Sequence, residues 1–341
     1  MRLCSEFRDG YLWGRSFDSP SPKTLVAGAF DLSIVATSWD SRCLSLTAAT
    51  EFRSTATCVL RFHVKDSAGM RDKHDPVLID FCQGHSERVS VLDGPSVDLQ
   101  TMWSRLREEI WRAYKSLRRP LRVFIDTSAC PRFYSLAVLA ASLAGGLAQQ
   151  VSLFYAEGRY PEPDHEPEIA FTGERWKSVA VPGLEGACDP DKDRFFLVAV
   201  GFEGWKTLRA VAQADPDRVS VLFPSPGTQP GYDERTRSDN ATLFQEYRIP
   251  DMQIVKAPAG DAVAAWAALS EAALERPDIE NSYFLCCGTK AHSIALGLRA
   301  IVARYPAVLY NVPDEHKVVP IEASGRYWLF DIVDLTAPAA D

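Results

Sequence analysis

Gly288, Thr289 and Lys290 follow an apolar run, and His292 comes within one helical turn of them, in the stretch FLCCGTKAHSIALGLRAIVARY. Glycine lets a backbone come close to a ligand, a threonine hydroxyl both donates and accepts, and a lysine ammonium adds a cation to the unpaired N–H groups of a helix start. Together these types suit a phosphate. The long GxxxxGK[ST] spacing of a Walker loop is missing, and no GxGxxG follows a strand, so neither nucleotide fingerprint is present. An earlier stretch, VFIDTSACPRFYSLAVLAASL, has the same outline: an apolar strand, the hydroxyls of Thr127 and Ser128, Pro131 opening a helix, and Arg132 as the matching cation. Two acidic tips, Asp40 in SWD and Glu203 in GFEG, each end a strand-like run. Their carboxylates could accept hydrogen bonds from a ribose or base, although capping the following helix is the commoner role. Trp39 and Phe202 stand beside them. Burial between strand and helix is expected for both, with stacking on a nucleobase as the alternative.

These loops need strands that deliver them to one edge, and the chain supplies strand-like runs alternating with helical patterns. That alternation predicts an α/β fold with mainly parallel sheets. In the first half FDLSIVATSWDS, TCVLRFHVKD and ERVSVLDG read as strands, and DLQTMWSRLREEIWRAYKSLRR reads as an amphipathic helix through Met102, Leu106, Ile110, Tyr114 and Leu117. LRVFIDTS, FYSLAVLAASLAGGLA and QVSLFYAE then continue as strand, helix and strand. Residues 161–192 change texture to Pro, Gly and acidic residues with one short strand inside, which marks a connector. The alternation restarts at RFFLVAVGFEG and runs through SYFLCCGTK to AVLYNVP. Matched anchors recur in the same order: Asp40 with Glu203, Thr127-Ser128 with Gly288-Thr289, and GERWKSVAV with GRYWLFDIV. The expectation is an internal duplication into two tandem Rossmann-like units: an N-terminal extension 1–30, a first unit 31–160, the connector, and a second unit 193–341 carrying a C-terminal strand. A single doubly wound domain is the alternative.

Length and composition agree with two cores: 341 residues, 46% of them apolar. A net charge of −8 excludes a broad basic surface for duplex nucleic acid or an anionic membrane, while allowing a local basic pocket. No apolar run reaches the roughly 18 residues of a membrane span, and the N-terminus lacks a signal-peptide core, so a cytoplasmic protein is expected. The eight cysteines are irregularly spaced without CxxC pairs and read as reduced thiols, with Cys286 and Cys287 packed in a strand. His63, His74 and His85 recur at a regular interval, but no carboxylate or cysteine pattern joins them into a metal signature, and no cofactor is implied.

The strand entering CCGTKAHSIALGL resembles the Gly-Thr-Lys loop of CRISPR-associated Rossmann-fold (CARF) sensor domains, and two such units in one chain resemble the fused pseudo-dimer of the related SAVED domains of prokaryotic antiphage defence. The resemblance covers about half the chain and carries over Gly288, Thr289 and Lys290. It implies binding of a small oligonucleotide second messenger across the two units, with the signal relayed to an effector protein. The first half departs from it, with TSACPR in place of a second Gly-Thr-Lys. Two other readings stay open: a phosphodiesterase-like enzyme that uses Ser128, Thr289, Lys290 and His292 on a nucleotide, and an assembly scaffold without a small ligand.

Overall fold

The structure, a computed structural model, describes residues 2–9, 12–63, 69–95, 97–160, 175–187, 189, 191–272, 281–304, 306–314, 316, 318–319 and 321–334. It is α/β, with two compact units: residues 1–161 with 316–341, and residues 162–315.

The first unit opens with strands β1 (Arg2–Asp9) and β2 (Leu12–Ser19), a short helix α1 (Pro22–Leu25) and strand β3 (Gly28–Thr37). It continues through a 3-10 helix (Ser41–Ala48), β4 (Phe52–His63), α2 (Met70–His85), β5 (Ser86–Pro95), α3 (Leu99–Leu117), β6 (Leu121–Asp126), α4 (Arg132–Leu143) and β7 (Ala148–Arg159). The second unit comprises β8 (Trp176–Ala180), β9 (Phe195–Ala199), α5 (Gly204–Ala214), β10 (Arg218–Pro224), α6 (Tyr232–Asp239), α7 (Ala241–Glu246) and β11 (Ile254–Ala257). After these come α8 (Ala262–Glu271), β12 (Ser282–Cys286), α9 (Lys290–Ala303) and β13 (Ala307–Pro313), and the last strand is β14 (Glu322–Asp334).

In the first sheet the order is β1-β2-β14-β7-β6-β3-β4-β5, and in the second it is β11-β10-β9-β12-β13-β8. Strands β3 to β7 pair in parallel, as do β9 to β13. The parallel series of each unit thus starts in the middle of its sheet, with β3 or β9, lays two strands to one side, and returns to lay two on the other. Next to its last parallel strand each sheet carries an antiparallel one, β14 on β7 and β8 on β13, and the first sheet continues antiparallel through β2 to β1.

Apolar runs build the centres. Phe30–Thr37 of β3 and all of β9 are buried, as strands covered on both faces must be. Phe30, Phe52 and Phe124 pack with ring centroids 5.0–5.9 Å apart in the first core. Val198, Val211, Val221 and Phe223 anchor the second. Helices α4 and α9 are buried on almost every side, which explains their largely apolar composition, whereas α3 keeps one polar face. Helix α3 starts where the Asp98 carboxylate accepts from Thr101 N–H at 3.2 Å.

The division differs from the expected one at both ends. The N-terminal stretch is not a mere extension, because β2 pairs with β14 inside the first sheet. The C-terminal strand, expected in the second unit, lies in the first between β2 and β7, and β8 of the expected connector lies in the second. GRYWLFDIV and the described part of GERWKSVAV therefore hold corresponding antiparallel positions, each in the sheet of the other half; Gly173 and Glu174 lie outside the described residues. Alternating apolar patterning tells a strand which face to bury but not which sheet to join.

Candidate functional site

In a doubly wound sheet, ligands gather beyond the carboxyl ends of the strands where the winding reverses. That point falls between β3 and β6 in the first unit and between β9 and β12 in the second. These are the ends that carry the residues singled out by sequence.

In the first unit the ends of β3 and β6 are filled from within. Asp40 caps the 3-10 helix by accepting from Arg42 N–H at 3.0 Å, and its carboxylate is forked by the Arg42 guanidinium, with Nη2 at 2.5 Å. Both side chains are buried. Burial is the largest single influence and disfavours the charged guanidinium, but Asp40 together with Tyr160 and Tyr155 more than offsets it and raises the Arg42 pKa. Thr127 donates its hydroxyl and its N–H to the Phe154 carbonyl, each at 2.8 Å, and Ser128 Oγ accepts from Ala156 N–H at 2.9 Å. Ser128 N–H in turn donates to Asp126 at 2.8 Å. These hydroxyls stitch the β6 loop to β7 and are fully buried. Pro131 takes the cap position of α4, making Arg132 its first residue, half-buried.

Cys43 and His74 share this end, and their geometry argues against a reactive pair. The His74 imidazole lies with Nδ1 2.8 Å from the Ser38 carbonyl and 3.7 Å from Cys43 Sγ, and burial pushes the Cys43 thiol up to about 12. His63 faces Asp93, and His85 reaches the Phe81 carbonyl of its own helix, so the regular histidine spacing brings no common ligand set together. Among the described residues, no group of three or more His, Cys, Asp or Glu side chains could hold a metal ion.

In the second unit the ends of β9 and β12 meet backbone to backbone. A Cβ on Gly288 would lie 2.7 Å from the Val200 carbonyl oxygen, and one on Gly201 would lie 2.9 Å from that of Cys287. Gly288 is therefore required by the neighbouring strand end, and its φ lies outside the left-handed region. Asn240, buried at the junction of α6 and α7, donates to the Gly201 carbonyl at 2.7 Å and fixes this loop. Thr289 is the cap of α9, its hydroxyl accepting from His292 N–H at 3.2 Å. Lys290 is the first helical residue. Gly201, Phe202, Glu203, Thr289 and Lys290 are all half-buried, in contrast to Ser38, Asp40, Thr127 and Ser128 of the first unit.

Glu203 stands at the cap position of α5 but makes no side-chain cap; it pairs instead with the buried Lys206 ammonium. Phe202 is not buried as expected. It lies edge-on to Tyr232 at 5.0 Å between centroids, with the Arg235 guanidinium 4.0 Å over its ring. Trp39 is half-buried too, its ring 6.0 Å from that of His316. His292 is wholly enclosed, Nε2 lying 3.2 Å from the Pro258 carbonyl, and burial pushes its pKa down to about 4. The imidazole is neutral at physiological pH and ties α9 to the loop after β11.

Sequence reading missed Arg42, Asn240, Tyr232 and Arg235, because each acts through a contact made by the fold. Only the close spacing of Asp40 and Arg42 could have signalled a pair. Among the described residues, no helix is long and apolar enough to cross a membrane.

No protein-family model matches the sequence, and no curated protein does. Among solved structures the chain is similar to the cytoplasmic domain of a prokaryotic cation chloride cotransporter, at 10% identity and a TM-score of 0.25, over 86% of this chain and 98% of that one. A superposition that loose carries no argument.

Proposed function

We propose that the chain is a cytoplasmic ligand-sensing module that holds a small anionic nucleotide at the carboxyl edge of the second unit's sheet and acts through a partner effector protein. The observation that carries this reading is the half-exposed winding reversal between β9 and β12, where the capped start of α9 and Lys290 adjoin the Gly201–Glu203 loop and its Phe202–Arg235 stack. Helix N–H groups and a lysine favour an anion, and an aromatic ring with a guanidinium favours a planar group beside it. The acidic molecule as a whole would repel polyanions, so a small ligand fits better than duplex nucleic acid. A role in antiphage defence extends the proposal along the resemblance to CARF and SAVED domains.

The enzyme reading has less support. His292 is enclosed and neutral, and its Nε2 already faces a carbonyl, so it is poorly placed to give a proton to a leaving oxygen. The Ser128 hydroxyl is engaged between strands. Binding and turnover measured separately on a panel of mono-, cyclic and linear oligonucleotides test the proposal. Binding without turnover is expected, turnover would favour the enzyme, and neither would favour the scaffold.

A further inference from the structure

We propose that Trp176 and Trp205 form the base-recognising wall of the second unit's site, so that its ligand is selected by stacking of a planar base as well as by its phosphate. The inference rests on the ligand reading above.

Trp176 opens β8 and pairs with Pro313 at the carboxyl end of β13, while Trp205 is the second residue of α5. In the sheet, β12 and β13 lie between β9 and β8. The two indoles nevertheless meet, with centroids 5.6 Å apart and planes at 68°. The elements that carry them therefore flank the β12 end, where the Gly288–Lys290 loop begins. Each ring is half-buried, so part of each faces solvent.

Cations gather on the same rings. The exposed Arg209 holds its guanidinium 5.0 Å from the Trp176 ring and 5.9 Å from Trp205, and Lys206 Nζ is 5.2 Å from Trp205. The Trp176 indole N–H is buried without a hydrogen-bond partner among the described residues, and an orphaned donor of that kind is uncommon. A ligand acceptor reaching it by a small turn of the indole would satisfy it. Electron-rich indole faces flanked by cations gain most from a flat ring that carries negative charge nearby, which is the chemistry of a nucleotide. A bare inorganic anion gains nothing from the indoles.

Calorimetric titration of the full chain tests this, with the oligonucleotide panel and with inorganic pyrophosphate, for the parent, Trp205→Leu, Arg209→Gln and Lys290→Ala. For the panel member that binds the parent, Trp205→Leu is expected to weaken binding about five- to a hundredfold, and Arg209→Gln by less. Pyrophosphate affinity should be unchanged by Trp205→Leu. If both Trp205→Leu and Arg209→Gln bind the nucleotide like the parent while Lys290→Ala loses it, the stacking wall is wrong and the ligand reading stands. If the parent binds no nucleotide, both fall. Should a thermal melt show Trp205→Leu unfolded, the exposed Arg209→Gln decides: unchanged nucleotide affinity overturns the inference.

Discussion

The ends of β3 and β6 in the first unit and of β9 and β12 in the second occupy the same place in the same strand order, yet they are built to different ends. In the first unit a buried arginine pairs with the carboxylate beside it, and two buried hydroxyls bond to the backbone of β7. In the second the equivalent hydroxyl caps a helix, the glycines press strand against strand, and the loops stay half-exposed. Units of like strand order need not keep like edges: one buries its polar groups against its own backbone, and the other leaves its loops half-exposed, where the proposed ligand would sit.

The largest expected effect breaks the first side of that comparison. Arg42→Met leaves the Asp40 carboxylate buried without its counter-ion, at a cost of about 3–5 kcal/mol. Hydrogen exchange resolved to β3 and β6 should show that loss, while β9 and β12 keep their protection. A change under about 1 kcal/mol would mean that the pair does not hold the first unit's edge.

Next comes a pH dependence confined to the second unit. Burial lowers the His292 pKa from 6.5 to about 4, so the folded state favours the neutral imidazole and the unfolded chain takes up the proton first. The contribution is complete above pH about 6.5 and is lost as pH falls through about 4, amounting to about 3 kcal/mol. Protection of α9 measured from pH 7 to pH 4 should fall in the parent and fall less in His292→Gln. Equal slopes would remove the role assigned to this histidine.

A smaller effect follows from the packed strand ends. Gly288→Ala places a Cβ against the Val200 carbonyl and is expected to cost about 1–3 kcal/mol in unfolding experiments on the second unit. Thr127→Val sharpens the contrast, since it removes a buried hydroxyl's bond to Phe154 and should cost about 1 kcal/mol in the first unit with no effect on the second.

Much of the fold was legible because both units bury their parallel strands on two faces, which writes continuous apolar runs into the chain. The loops after β6 and β12 could be matched for the same reason. Helix α2 was not, since the internal Pro76 and the polar first half of Met70–His85 hide its helical period. Helices α6 and α7 were missed because few of their residues are buried. The exchange of β8 and β14 was illegible because both strands have the pattern either sheet would accept. At the site, Thr289 as a cap could be read from its place before a helix; the partner of Asp40 is signalled only by its spacing to Arg42, and those of Phe202 not at all, since they depend on α6 packing over the β9 loop.

The most direct test compares the two crevices for ligand binding. Titration of the nucleotide panel into Lys290→Ala and Arg132→Ala, at low and moderate salt, asks whether the anion sits at the second unit alone. Loss of a charge-assisted hydrogen bond worth about 1.5–3 kcal/mol predicts a roughly ten- to hundredfold weaker Kd for Lys290→Ala, with Arg132→Ala indistinguishable from the parent. Parent-like binding by Lys290→Ala, or an equal loss in Arg132→Ala, would contradict the account.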